Sequence, residues 1–155
     1  MNHEVDIDAF LRKPLIAHLA TASEFGPRDS PLWFLWEDGA LWFVGNGRDG
    51  FPKRVHREPR CAVGIVDFDL PHGLLTHVGM RGTGTVEQVD RHRLHRLLGR
   101  YLGPDLDLWN EPFRRTVIDK LDLMVRVQPT SVVARDQSYF SNASPRERGL
   151  RDRRD

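Results

Sequence analysis

The sequence has almost no cysteine and no long apolar run. Cys61 is the only cysteine among 155 residues, which excludes an intrachain disulfide framework and a cysteine-rich zinc site. No stretch approaches the ~20 apolar residues of a membrane-spanning helix. The N-terminal residues MNHEVDID are acidic, unlike a signal peptide. We therefore expect a cytoplasmic protein that does not bind a membrane.

An excess of charge of one sign is also missing. Lysine and arginine number 23 and aspartate and glutamate 22, for a net charge of +1. This balance gives no global reason to expect binding to nucleic acid or to an anionic surface. His92 and His95 are three residues apart in a predicted helix, but no carboxylate or cysteine stands at ligand spacing around them. We expect no metal site.

The chain is long enough for one domain with a hydrophobic core. Its patterns predict six strands, over residues 15–23, 31–36, 40–44, 61–68, 74–89 and 123–136. They predict helices over residues 5–13, 51–57, 90–102 and 112–120, and a loop over residues 24–29. Residues 141–155 contain five arginines and three acids, which predicts a disordered tail after a single domain over residues 1–140.

Glycines inside the fifth predicted strand are unusual, and they indicate a bulge, a barrel bend or a close approach by a ligand or another chain. These glycines are Gly79, Gly82 and Gly84. Trp109, in the long connection after the third helix, is either a core residue or a lid over a ligand. Six strands with short antiparallel links, and helices too few for a parallel sheet, favour a small β-barrel.

A hairpin and a glycine-rich loop carry the functional signal. Asp38 and Gly39 join two aromatic-rich strands, and the loop GNGRDG then leads into a basic helix. Bare backbone N–H groups and a cationic helix start predict a phosphate cradle. The hairpin aromatics would form a flat wall, so a flavin or nucleotide would fit. In the alternative interpretation, these aromatic side chains belong to the hydrophobic core or to a dimer interface, and the cations form a solvated helix face.

The ordered series of segments resembles the pyridoxamine 5'-phosphate oxidase-like family. The series runs LATAS, PLWFLWEDGALWFV, a basic helix ending in REPR, CAVGIVDFD and VGMRGTGTVE. The resemblance covers about residues 15–136. It implies a mainly β fold with flanking helices, a six-stranded antiparallel split β-barrel. It also implies a homodimer that binds FMN at the subunit interface.

The resemblance also implies the residues that hold the cofactor. The strand with Leu32 matches the one that meets the isoalloxazine ring, and the strand ending at Gly45 leads towards the phosphate. Members often carry Ser-Arg-Lys near the helix start, but Gly50 and Phe51 stand at the last two of those positions. The phosphate contacts must therefore be shifted to other cations. The expected cofactor-binding residues are Leu32, Trp33, Phe34, Val44, Gly45, Asn46, Arg48, Phe51, Lys53, Arg54, His77 and Arg81.

The resemblance does not extend to vitamin B6 oxidation. True pyridoxamine phosphate oxidases carry a tryptophan on the last strand and an Arg-Leu-His-type segment, and both are missing here. We expect an FMN-dependent oxidoreductase acting on an unknown small molecule, with no catalytic residue identified. The alternatives are a non-catalytic protein that stores or senses a flavin, deazaflavin or haem, and a dimeric barrel that binds no cofactor.

Overall fold

One antiparallel sheet of seven strands dominates the computed structural model, which describes residues 4–139. The strands are β1 (Ala17–Ser23), β2 (Gly26–Leu32), β3 (Leu35–Glu37), β4 (Ala40–Gly45), β5 (Arg60–Asp69), β6 (Leu74–Gln88) and β7 (Leu123–Asp136). Their order across the sheet is β2-β1-β5-β6-β7-β4-β3. The fold is barrel-like but the sheet is not closed, because β2 and β3 form its two edges.

The seventh strand corrects the prediction of six. Residues 24–29 were expected to form a loop, yet β2 pairs with β1 from Ser23–Gly26 to Ala17–Leu32. β2 is a largely exposed edge strand with little apolar alternation, so Gly26 and Pro27 suggested a loop. The predicted strand over residues 31–36 is also divided, since β2 ends at Leu32 and β3 begins at Leu35.

Three α-helices accompany the sheet within residues 4–139: α1 (Ile7–Leu11), α2 (Gly50–Arg57) and α3 (Arg91–Leu102). The Asp6 and Asp90 side chains accept backbone N–H groups at the starts of α1 and α3. The helix predicted over residues 112–120 is present but irregular. A π-helix over Phe113–Val117 is followed directly by a 3-10 helix over Ile118–Lys120, in a sequence with three consecutive β-branched residues.

Local turn signals predicted from the sequence are confirmed. Asp38 and Gly39 have φ values of +56° and +66°, as the tight turn between β3 and β4 requires. The register of β6 against β7 shifts between Arg81 and Gly82, which confirms a bulge at one of the strand glycines. A Cβ on Gly82 would lie 2.4 Å from the Gln128 carbonyl oxygen.

Two hydrophobic clusters hold the fold together. The barrel core lies between the sheet, α1 and α2, and includes Phe34, Phe43, Phe51, Val55 and Ile65. The α3 core packs α3 and the following turns against β3, β4 and β7. Trp109 belongs to the α3 core, with 5% of its surface exposed, and its Nε1–H donates to the Gly103 carbonyl. Trp109 is therefore a packing residue.

No helix within residues 4–139 is long and apolar enough to cross a membrane. The predicted C-terminal tail and its boundary at residue 140 lie outside the described residues.

Candidate functional site

The glycine-rich loop before α2 satisfies its own backbone. The Asn46 N–H donates to the Asp49 carboxylate at 2.8 Å, and the Arg48 N–H donates to the Asn46 side-chain oxygen at 2.8 Å. The Asp49 N–H donates to the Asn46 carbonyl. These three N–H groups are not bare, contrary to the expected phosphate cradle. The Asp49 carboxylate already supplies negative charge to this loop.

Arg54 lies on the side of α2 that faces β1 and β2. Its Nε–H donates to Thr21 Oγ1 at 2.7 Å and its Nη2–H to Ser30 Oγ at 3.1 Å. The Nη1 atom lies over Gly50, at 2.6 Å from the position of a Cβ built there. The absence of a side chain at Gly50 therefore lets the guanidinium reach the first turn of α2.

The charge of Arg54 is not balanced by a carboxylate. Neither Arg54 nor the exposed Arg28 of β2 forms an ion pair with any residue in the described range 4–139. Burial, and secondarily the nearby Arg28 charge, lower the pKa of Arg54. We call Arg54, Arg28, Ser30, Thr21 and the start of α2 the Arg54 anion site.

The geometry of the Arg54 anion site fits a phosphate. The Asp49 side chain makes no capping hydrogen bond to α2, so the positive end of the helix lacks a side-chain acceptor. Hydroxyl groups that accept from Arg54 can still donate their own hydrogens. Two guanidinium groups and two hydroxyls would together offset the charge of a dianion, although the Asp49 carboxylate at the start of α2 opposes it.

Three members of this site were missed by sequence reasoning. Thr21 is 3% exposed and lies on the inward face of β1, where the alternation places apolar residues. A polar residue on that apolar face could have indicated that Thr21 belongs to a functional site. Ser30 and Arg28 carried no signal, because the strand that presents them was not predicted.

The predicted aromatic wall is packed into the protein. Trp33 stacks on Tyr101 with ring centroids 4.6 Å apart and also contacts Phe113 at 6.4 Å. Phe34 is fully buried. Its backbone N–H donates to the Tyr101 hydroxyl and its carbonyl accepts from Arg100. Tyr101 therefore occupies one face of the Trp33 ring, and the Phe34 ring is inaccessible to a ligand.

His77 and Arg81 lie on the outer face of the sheet, the side of β1, β5, β6 and β7 that points away from the barrel core. A row of paired residues, His18, Gly64, Gly79 and Val133, crosses these four strands. The His77 ring lies over the two glycines, 3.3 Å from a Cβ built on Gly79 and 3.8 Å from one on Gly64. Arg81 lines a shallow cleft of about 570 Å³ beside Ala20 and Ala62.

Asn46 and Lys53 line a different cavity, which we call the loop–helix cleft. It lies between the loop, α2 and the ends of β6 and β7, with a volume of about 690 Å³. Its lining residues are Asn46, Gly47, Asp49, Pro52, Lys53, His56, Arg57, Val86 and Leu123.

The other predicted residues are structural in this chain or exposed. Phe51 is 6% exposed and belongs to the barrel core, while Leu32 and Val44 pack at the margins of the two clusters. A Cβ on Gly45 would lie 2.9 Å from the Phe51 ring. Arg48 is exposed. The structure thus places Arg54 in the Arg54 anion site, Asn46 and Lys53 in the loop–helix cleft, and His77 and Arg81 on the outer face, rather than bringing the predicted set into one pocket.

No protein-family model and no curated protein sequence matches the chain. Solved structures do match it, and what the chain shares with them is the fold. This likeness confirms the resemblance seen in the sequence at the level of the fold.

Three of the matching structures illustrate this likeness. A conserved hypothetical protein from Mycobacterium tuberculosis has a TM-score of 0.70 and 22% identity, over 92% of each chain. An F420 reductase has a TM-score of 0.61 and 23% identity, over 84% of this chain and 98% of its own. A FAD-binding protein from Mesorhizobium loti has a TM-score of 0.59 and 19% identity, over 89% and 98%.

The same fold occurs in a candidate pyridoxamine 5'-phosphate oxidase from Listeria innocua and in a haem storage protein from Vibrio cholerae. The fold is therefore shared by proteins named for different cofactors.

Proposed function

We propose that this protein binds a phosphorylated flavin-type cofactor, FMN in the first place, and works as an oxidoreductase on a small molecule. The cofactor's phosphate lies in the Arg54 anion site. A bound flavin supplies the electron-transfer chemistry, and the chain holds it and shapes access to it. Vitamin B6 oxidation is not part of the proposal.

The unbalanced Arg54 guanidinium is the observation that carries this proposal. A half-buried cation without a carboxylate partner costs desolvation free energy that its two hydroxyl contacts offset only in part. Arg28 adds a second positive charge at the same place. A phosphate dianion would recover this cost by charge-assisted hydrogen bonds.

The fold supports a flavin over other phosphorylated ligands. Neighbours of the same fold are named as FAD-binding protein and F420 reductase. The rings of Trp33 and Phe34 are engaged in packing. The flavin ring therefore lies against the backbone of this chain and against a second subunit, and not on an aromatic wall.

The test is the visible absorption of the purified full chain, before and after incubation with FMN and desalting. We expect retained flavin bands. Replacing Arg54 with glutamine should weaken FMN binding by about 10- to 100-fold, since a charge-assisted pair to phosphate is worth about 1.5–3 kcal/mol. Riboflavin, which lacks the phosphate, should lose little affinity on the same substitution.

Arg12 provides the matched control, because it is exposed and forms no ion pair within the described residues. The Arg12→Gln variant should bind FMN like the unmodified protein. Retained FMN in Arg54→Gln at unchanged affinity would move the phosphate to another place. A protein that ignores FMN altogether would refute the cofactor proposal.

We also propose that the protein is a homodimer joined through the outer face. This face combines small residues with exposed apolar ones, including Val66 at 47%, Phe68 at 56% and Val133 at 48%. A sheet face of this kind packs closely against a second copy. The homodimer would bring His77 and Arg81 to the subunit interface, where the resemblance places the cofactor.

Haem is the second candidate cofactor, and His77 favours it. Its imidazole lies over Gly64 and Gly79, and no hydrogen bond to its ring nitrogens is found among residues 4–139. A free imidazole is a common haem ligand. A Soret band after haem addition that is lost in His77→Ala, together with no flavin bands retained after FMN addition, would select this candidate.

A further inference from the structure

The loop–helix cleft has an apolar floor and a polar rim. Val86, Leu123 and Pro52 form the floor at the ends of β6 and β7 and the first turn of α2. Lys53, His56 and Arg57 lie on the rim, at positions three and four apart that share one side of a helix. A volume of about 690 Å³ is in the range of small-molecule sites.

The charges of the lining favour a monoanion. Lys53 and Arg57 contribute two positive charges and Asp49 one negative charge, which leaves one net positive charge. Arg57 is exposed and 3.8 Å from Glu24, whereas Lys53 forms no ion pair within the described part of the chain. The Asp49 carboxylate accepts the Asn46 N–H and would repel a dianion. Lys53 is therefore the principal contact for one carboxylate.

This cleft is separate from the Arg54 anion site. Consecutive residues in a helix point about 100° apart, and Arg54 turns to Thr21 and Ser30 of β1 and β2. Lys53 and His56 turn to Val86 and Leu123 of β6 and β7. α2 thus has one cationic contact on each flank, with hydroxyl groups on one side and an apolar floor on the other.

We propose that the loop–helix cleft is a second binding site, for a small monoanion with an apolar or aromatic body and one carboxylate. The apolar body lies on Val86 and Leu123, and the carboxylate contacts Lys53 and His56 at the rim. The site does not depend on the cofactor proposal, because Arg54 contacts Thr21 and Ser30 on the other flank of α2.

The test uses 2-naphthoate as the probe and the full chain, labelled with nitrogen-15 for NMR titration. We expect saturable shifts at the backbone amides of Lys53, His56, Val86 and Leu123. The neutral analogue 2-naphthamide should bind at least about fivefold more weakly, as should acetate, which lacks the apolar body. Lys53→Gln should raise the Kd for naphthoate about fivefold, and the control Arg12→Gln should leave it unchanged.

The outcomes separate this site from the proposed cofactor site. Shifts confined to other residues, or equal Kd values for naphthoate and naphthamide, would overturn the proposal. An unchanged Kd in Lys53→Gln would do the same. Adding FMN should leave the naphthoate Kd unchanged, and competition would show that the two ligands share one site. If FMN does not bind at all, the naphthoate titration still decides the question.

Discussion

Arg54 and Cys61 show how single residues acquire unusual properties from this fold. Arg54 is a cation whose hydrogen-bonding partners, Thr21 and Ser30, are neutral hydroxyls. Burial disfavours its charged form and no carboxylate among residues 4–139 pairs with it, so its pKa is lowered. An anion bound there would raise the pKa again. Burial also favours the neutral form of Cys61, but because that neutral form is the protonated thiol, the pKa is raised instead of lowered.

Cys61 leads to a prediction about pH. Burial raises the pKa of its thiol to about 11, from 9.0 in an exposed cysteine. The Cys61 residue is 8% exposed, and its Sγ atom lies 3.6 Å from the Gly82 carbonyl oxygen. Above pH 9 the unfolded chain releases this proton while the folded chain retains it, so stability should fall between pH 9 and 11 and be unaffected below pH 9.

Urea unfolding at several pH values measures this effect. The comparison is with Cys61→Ala, which lowers stability at every pH but should lose the extra fall above pH 9. A thiol reagent should also label the native protein far more slowly than the unfolded protein. Equal labelling rates would show that the site opens readily, and equal slopes in both proteins would assign the alkaline loss to other groups.

At the scale of elements, α2 is the piece that creates both cationic sites. It rests on the sheet through Phe51, Pro52 and Val55. Gly84 of β6 makes this approach possible, because a Cβ built there would lie 2.5 Å from Val55 Cγ1. Close packing of helix on strand therefore sets the position of Arg54 and Lys53.

Replacing Gly84 with alanine should destabilise the protein by about 1–3 kcal/mol through overpacking against Val55. The double variant Gly84→Ala, Val55→Ala should lose less than the sum of the two single changes, since the smaller side chain relieves the clash. Urea unfolding of all four proteins gives this coupling. Strict additivity would mean that the clash is absorbed elsewhere in β6.

Local elements could be predicted from the sequence and distant pairings could not. The Asp38-Gly39 turn and the α3 stripe of leucines depend on neighbouring residues only. β2 is a strand because β1 pairs with it, and its own residues carry little apolar alternation. Likewise Arg54 could be identified as a cation, but Thr21 and Ser30 lie 33 and 24 residues away. Their convergence is a property of tertiary structure.

The same limit explains the aromatic wall. Trp33 and Phe34 looked free in a hairpin rich in aromatic residues, yet Tyr101 and Arg100 of α3 engage them. No pattern in the hairpin itself indicates that a helix nearly 70 residues later will contact it. Periodicity could show that α3 is amphipathic, but not which surface it contacts.

At the scale of the whole molecule, the outer face leads to a prediction about assembly. Its central row contains Gly64 and Gly79, over which the His77 ring lies, and ends in the exposed Val133, so the surface is partly apolar. Stable interfaces bury about 800 Å² on each partner. If a second copy packs here, a charge introduced at Val133 would lose its hydration in the interface.

Sedimentation velocity at micromolar concentration tests this. We expect a dimer for the unmodified chain and a monomer for Val133→Asp, with little change in the monomer's own fold. Leu108 is the matched control, because it is 81% exposed and lies outside the outer face. Leu108→Asp should remain dimeric. A monomeric unmodified protein would refute the homodimer, and equal dissociation of both variants would refute this choice of face.

The edge strand β2 has a consequence for aggregation. Proline cannot donate a backbone hydrogen bond, and inside sheets it is confined to edges with its nitrogen facing outward. Pro27 and Pro31 are four residues apart in β2, so both interrupt the same open border of the sheet. Another chain that paired along that border would find two backbone donors missing. Aggregation by strand addition at β2 is thereby opposed.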